Sequence, residues 1–405
     1  MSAPKLTRYQ VAVVAILAFL QFTVILDFMI LSPLGAVLMR EIGIRPARFG
    51  LVVSAYALSA GISGLLAAGF ADEFDRRRLL LFFYGGFVLG TTLCGVAPSY
   101  HLLLGARAIT GLFGGVIGSI SLAIVADLFP LEARGRVMGL VATASAASQV
   151  MGIPLGLYLS NTWGWHAPFL MIAAVSAGVG VLIFATLRPI NAHLQQPRDR
   201  NPVHHLLATL LKPRHQWGFA ATMLLALGGY MLMPFGSAFS VNNLGISLDQ
   251  LPMVYMVTGC IALVEGPMLG RLIDRAGKYR TFSAGSLLAI AVVIFYTHRG
   301  VTPLAGVVAL NIAMFTAISA RQVSAQALAS AVPAPPDRGA YMSISSSMQQ
   351  MAGAVAASFS GLLVTQTASG YLEHYERLGY AVALALAATI LLMKRIDTMV
   401  TKDAG

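Results

Sequence analysis

The chain repeats one feature twelve times, an apolar run of roughly 20 residues. A helix of that length crosses the hydrocarbon core of a bilayer and satisfies its own backbone hydrogen bonds there. The runs lie at 11–38, 49–71, 79–97, 101–126, 136–160 and 167–187, then at 216–240, 250–272, 281–298, 302–328, 339–367 and 378–394. Charged residues make up only 11% of the chain and hydrophobic ones 57%, whereas a soluble domain carries about 25% charge. A soluble fold of this composition would lack the polar surface to cover itself. The sequence therefore predicts an all-α, polytopic membrane protein and excludes most soluble enzymes.

The one obvious linker is 188–215, with Pro189, Pro197, Pro202 and Pro213 among Arg188, Arg198, Arg200, Lys212 and Arg214. It divides the chain into a six-helix bundle at 1–187 and a second at 216–405 that ends in a short tail. The net charge of +11 tests the orientation. With the N-terminus inside, 20 of the 27 basic residues fall on the inner side and five on the outer side. By the positive-inside rule both termini and the linker are expected in the cytoplasm, and a bacterial inner membrane is the expected location. The excess charge is thereby explained without nucleic acid. Cys94 and Cys260 lie in separate apolar runs with no ligand spacing around them, so neither a disulfide framework nor a metal site is expected.

The two halves echo each other. Ala68 to Arg77 reads AGFADEFDRR after the second run, and Gly270 to Tyr279 reads GRLIDRAGKY after the eighth. Asp72 and Asp274 correspond at a spacing of 202 residues. Parallel six-helix repeats about an axis along the membrane normal are a transporter architecture. The second copy, Gly270-Arg-Leu-Ile-Asp274-Arg275-Ala-Gly277-Lys278, resembles the G-x-L-x-D-R-x-G-R/K signature of the major facilitator superfamily. The first copy has Ala68, Glu73 and Asp75 where that signature has glycine, a basic residue and glycine. Arg107-Ala-Ile-Thr-Gly111 is similar to the superfamily's R-x-x-Q-G element, with Thr110 for Gln. Gly152-Ile-Pro154-Leu-Gly156 resembles its span-five antiporter motif, in the form found in twelve-span drug/proton antiporters and sugar exporters.

The resemblance implies two pseudo-symmetric six-helix bundles and a conformational latch. Asp72 would cap a helix of the other half, and Arg76 would pair with Asp127. Arg77 and the second copy's Gly270, Asp274, Arg275, Gly277 and Lys278 complete the expected latch; a plain charged turn is the alternative. Asp75 and Glu73 would weaken or rewire it. Gly152, Pro154 and Gly156 would let helices approach closely and bend span five, as seal and hinge.

Ionisable groups inside a membrane are costly and default to function. Asp27, Glu265 and Arg107 are the proton-coupling candidates, and Gly266 and Pro267 invite a kink beside Glu265. Arg321 would bind an anionic substrate, pair with Glu265 or reach the inner surface. Polar and aromatic positions expected to line a central cavity are Gln21, Phe28, Tyr56, Gln149, Tyr230, Asn311, Gln349 and Gln350, together with Arg321. His204, His205 and His215 in the linker read as a solvated face.

The leading expectation is a secondary active transporter that exports a small organic or drug-like molecule against inward proton flow. It would do so by rocking its two halves. A facilitator or importer of a sugar, metabolite or lipid-like molecule is the alternative, and a non-transporting sensor is a third reading. No nucleophile–base pair and no GxxxxGK[ST] loop is present. No enzyme activity and no cofactor are expected, with the proton gradient as energy source. The expected partners are a small-molecule substrate, protons and the bilayer, with the chain acting as a monomer.

Overall fold

The computed structural model describes residues 6–191, 194, 202–334 and 337–402. Lys5, Pro197, Arg198 and Arg200 lie outside the described residues. The first half consists of α1 (Arg8–Ile30), α2 (Gly35–Glu41), α3 (Pro46–Phe70), α4 (Arg76–Gly95), α5 (Tyr100–Leu128), α6 (Leu131–Ala147), α7 (Ile153–Trp163) and α8 (His166–Thr186). The linker region carries a helix of its own, α9 (Pro202–Leu211), which packs on α3 and on the helix Arg338–Leu363 of the second half. The second half consists of α10 (Pro213–Tyr230), α11 (Gly236–Asn242), α12 (Leu251–Ala276), α13 (Lys278–Thr297), α14 (Leu304–Ala329), α15 (Arg338–Leu363) and α16 (Tyr375–Lys402). A short antiparallel hairpin, Thr365–Gln366 with Leu372–Glu373, sits between α15 and α16. His215, expected on a solvated face, is buried against Phe219 and Tyr341 and bonds through Nδ1 to the Thr209 carbonyl.

Among the described residues, ten helices or end-to-end helix runs are long and apolar enough to cross a membrane. An eleventh, α12, qualifies as a bent pair, turning 46° between Leu251–Glu265 and Met268–Ala276. The remaining expected span is α15, 26 residues long. Ser343, Ser345, Ser346, Ser347, Gln349 and Gln350 keep it from qualifying on composition. Its long contact with α3 explains how it tolerates them, because Ser345 and Ser347 are buried in the bundle.

The first run of each half is broken. The run expected at 11–38 stops at Ile30 and resumes at Gly35, and the equivalent run stops at Tyr230 and resumes at Gly236. Pro33 and Pro234 sit in the two breaks. Proline has no N–H to give a continuing helix, and Met233–Phe235 tightens to a single 3-10 turn around Pro234. The two elbows meet. Ser237 Oγ donates to the Ser32 carbonyl at 2.8 Å, and Ser32 Oγ donates to the Met233 carbonyl.

Buried apolar side chains divide in a way that matters for function. One cluster draws on both halves, from Leu26, Ile30 and Phe49 to Phe235, Phe239 and Val382. Two further clusters each belong to one half: Leu17, Phe87 and Ile124 with their neighbours in the first, and Phe219, Phe282 and Tyr341 in the second. The shared cluster gathers at the end opposite the chain termini. There glycines replace side chains between α3 and α15. A Cβ on Gly50 would lie 2.5 Å from the Ala357 carbonyl oxygen, and one on Gly361 would lie 2.9 Å from that of Pro46. Small residues at such crossings let membrane helices meet backbone to backbone.

Candidate functional site

Asp27 lies on α1, with none of its surface exposed, and Arg107 on α5 is 1% exposed. Arg107 Nη1 donates to Asp27 Oδ2 at 2.7 Å and to the Asp27 carbonyl at 3.3 Å. Thr91 of α4 donates from Oγ1 to Asp27 Oδ1 at 3.1 Å. Three helices thus converge on one carboxylate. The Tyr56 ring of α3 covers the guanidinium at 4.6 Å. A buried charge pair persists only when its remaining lone pairs and protons are satisfied. Here both carboxylate oxygens are used, while Arg107 Nε has no hydrogen-bond partner.

This pair is linked to the second half by rings. Tyr56 lies 5.3 Å from Phe28, and Phe28 lies 6.0 Å from Tyr230 of α10. Tyr230 lines a cavity of about 480 Å³. The elbow residues Ser32, Pro33 and Met233 line it, as do Ser319, Arg321 and Gln322 farther along α14. Of the expected cavity residues, Gln149, Tyr230, Asn311, Arg321 and Gln349 are brought to this cavity. Gln21, Phe28, Tyr56 and Gln350 are not on its wall; Phe28 and Tyr56 instead join the wall to the ion pair. Asp27, Arg107 and Glu265 also stand outside it.

Glu265 on α12 accepts from Thr316 Oγ1 through Oε1, and its Oε2 is buried without a hydrogen-bond partner. Arg321 is 2% exposed and donates from Nε to Ser286 Oγ at 3.1 Å. Neither Glu265 nor any other carboxylate forms an ion pair with Arg321 among the described residues.

The signature copies differ in structure as they do in sequence. Gly277 ends α12 with φ +92°, a conformation only glycine adopts freely. At the matching position Asp75 has φ −55° and caps α4, accepting from Arg78 N at 3.0 Å. Its second oxygen accepts from Ile190 N at 2.7 Å. Arg76 joins Asp72 at 2.7 Å and Asp127 at 3.1 Å. Arg77 donates to the Phe184 carbonyl. In the second copy, a Cβ on Gly270 or Gly277 would meet nothing within 4 Å. Asp274, Arg275 and Lys278 form no ion pair among the described residues.

In span five, residues Ser148–Gly152 form a π-turn directly before α7. Such wide turns mark functional bends, and Pro154 explains this one by withholding a backbone donor. Gly152 and Gly156 face α1: a Cβ would lie 2.6 Å from Leu26 and 2.5 Å from Ile30. On its other side the turn presses Gln149 and Val150 against Gly259 of α12.

Sequence reading missed Thr91, Ser286, Thr316 and the cavity residues Tyr255 and Tyr375. Single hydroxyls and aromatic residues in apolar helices carry no pattern that separates lining from packing. The paired elbows did carry a signal, since Pro33 and Pro234 each interrupt the first apolar run of a half.

Residues 17–357 match the family model of the Major Facilitator Superfamily. The chain belongs to the major facilitator superfamily. It is accordingly a multi-pass integral membrane protein and a secondary transporter of small molecules, not an enzyme. It is 27% identical over 395 residues to the uncharacterised MFS-type transporter YbcL of Bacillus subtilis (strain 168), covering 96% of this chain and 97% of that one. It is 25% identical over 280 residues to a probable sugar efflux transporter of Mannheimia succiniciproducens, covering 68% of each. Among solved structures it resembles an inward-facing, occupied bacterial homologue of the human lysosomal transporter Spinster. The TM-score is 0.76 at 16% identity, over 98% of this chain and 99% of the other. That likeness concerns the fold.

Proposed function

We propose that this superfamily member is a proton-driven exporter of a small organic molecule, working in a bacterial inner membrane with both termini in the cytoplasm. The observation that carries the reading is the fully buried Asp27–Arg107 pair and its ring contacts to the cavity wall. Protonating Asp27 removes the charge that holds Arg107, so Tyr56 and Phe28 lose their anchored neighbour. Proton and substrate then bias different arrangements of the same rings, which is the differential interaction that coupling requires. The one apolar cluster shared by both halves and the two that are not supply the rocking element. The Asp72–Arg76–Asp127 cluster, bonded here within the first half, acts as the latch. The sugar efflux relative supports the outward direction.

The test uses purified protein in proteoliposomes containing a pH-sensitive dye, screened with dyes, sugars and lipids. Wild type should move protons when a transported compound is added. Asp27→Asn should still exchange that compound across the membrane but move no protons. Equal proton movement by the variant would refute the assignment, and flux without proton movement in wild type would make the protein a facilitator.

A further inference from the structure

The cavity wall is mostly apolar, with Met29, Leu225, Met314, Phe315 and Ile318 among its residues. Arg321 is the single charged residue on it among the described residues. The guanidinium is placed 17 residues into α14, about 26 Å from that helix's start at the ordinary rise. The helix's other end, Ala329, is eight residues or about 12 Å away, so it is burial rather than depth that keeps the guanidinium from water. Its surface is 2% exposed, Nε is engaged by Ser286, and Nη2 is buried with no hydrogen-bond partner. The Phe282 ring at 5.8 Å gives the cation a distant π face. No ion pair neutralises it among the described residues.

An uncompensated cation in a membrane interior is expensive. Arg107 shows how this chain neutralises a buried cation: it gives it a carboxylate at 2.7 Å and a ring at 4.6 Å. Arg321 receives no carboxylate among the described residues, and the Phe282 ring stands farther off at 5.8 Å. Its free Nη2 belongs to a fork of donors suited to a planar, doubly accepting anion. Gln322 and Asn311 on the same helix and Gln349 on α15 line the same cavity and can donate through their amides.

We propose that Arg321 is the anion-binding residue of the transport cavity, and that the substrate class is a small amphipathic organic anion: a carboxylate carried on an apolar or aromatic body. The substrate's charge supplies the counter-ion that the protein omits, and the apolar wall takes the body. The inference rests on the cavity being the transport site, and it is independent of how protons are coupled.

The experiment is equilibrium binding to the purified full chain in lipid nanodiscs, with no gradient present. The probes are matched pairs: N-benzoylglycinate with its primary amide and 2-naphthoate with 2-naphthamide. Benzyltrimethylammonium serves as the cationic control. Wild type should bind at least one carboxylate about ten-fold more tightly than its neutral amide, the scale of a hydrogen bond to a charged group. The cation should bind no better than the amides. Arg321→Gln should lose the anion preference while keeping amide binding, and Arg321→Lys, which retains charge but not the fork, should keep part of it. No anion preference in either pair for wild type overturns the proposal, whether or not the variants fold. So does a preference that survives in Arg321→Gln. Proton movement measured separately shows whether the exporter reading stands or falls on its own.

Discussion

Arg107 and Asp27, 80 residues apart, are joined by a 2.7 Å bond in which neither side chain is more than 1% exposed. The pair fastens α5 to α1 in the middle of the first half. Its energetics are those of a buried ion pair, where removing one member is far worse than removing both. Arg107→Gln alone should lower unfolding free energy by about 3 kcal/mol, because Asp27 keeps only Thr91. The double variant Asp27→Asn/Arg107→Gln should recover more than half of that loss. Thermal unfolding of the four proteins in one detergent gives the coupling energy directly. Additive losses would show that the bond contributes nothing.

Two glycines give a steric comparison. A Cβ on Gly111 would meet the Tyr56 carbonyl oxygen at 2.2 Å, whereas one on Gly156 would meet the tip of Ile30 at 2.5 Å. A side-chain tip can rotate away and a backbone carbonyl cannot. Gly111→Ala should therefore destabilise by about 2–3 kcal/mol, in the range of overpacking in a tight core, and Gly156→Ala by less than about 1 kcal/mol. Melting temperatures of both in the same buffer check the order.

At the α3–α15 crossing the obstacle is again backbone, the Ala357 carbonyl 2.5 Å from a Cβ on Gly50. Gly50→Val should hold the elbow end apart. The readout is labelling of a cysteine at Ala47→Cys by a bulky, impermeant maleimide, in a background carrying Cys260→Ser. Labelling should rise about ten-fold over the parent with Gly50 intact. Unchanged labelling would mean that this crossing does not seal the cavity.

Asp75 stands where the signature has glycine, and it caps α4 while also holding Ile190. Asp75→Ala removes both bonds and should cost about 1–2 kcal/mol. Restoring the signature with Asp75→Gly should cost nearly as much, since the φ of −55° needs no glycine and the Ile190 bond is lost either way. A melting temperature for Asp75→Gly at or above wild type would contradict this account of the departure.

The helical bundle was legible because apolar run length speaks to the bilayer directly. α15 was legible by position and length although its serines and glutamines make it too polar to count on composition alone. Asp27, Arg107 and Arg321 stood out for the same reason, as charges that a membrane segment does not carry without cause. Their partners were not legible. Nothing in the local sequence says that Thr91 rather than Thr92 faces Asp27, because that depends on how α4 is rotated against α1. Nor does it say that Phe28 and Tyr56 would lie between the ion pair and the cavity rather than on the cavity wall. Asp75 looked like a disturbance to the latch, and its second bond, from Ile190 N, appears only once the chain is brought back across α8. The prolines of the two elbows were visible, but their meeting through Ser32, Met233 and Ser237 is a contact between residues about 200 apart.

The measurement that bears most directly on the central claim is the protonation of Asp27 itself. An infrared difference spectrum of the reconstituted protein, recorded with and without a transported compound, separates a protonated carboxyl from a carboxylate. A protonated-carboxyl band should change when the compound binds and be absent from Asp27→Asn. A band that persists unchanged in that variant would place the proton elsewhere, with Glu265 the first residue to test, and would contradict the account.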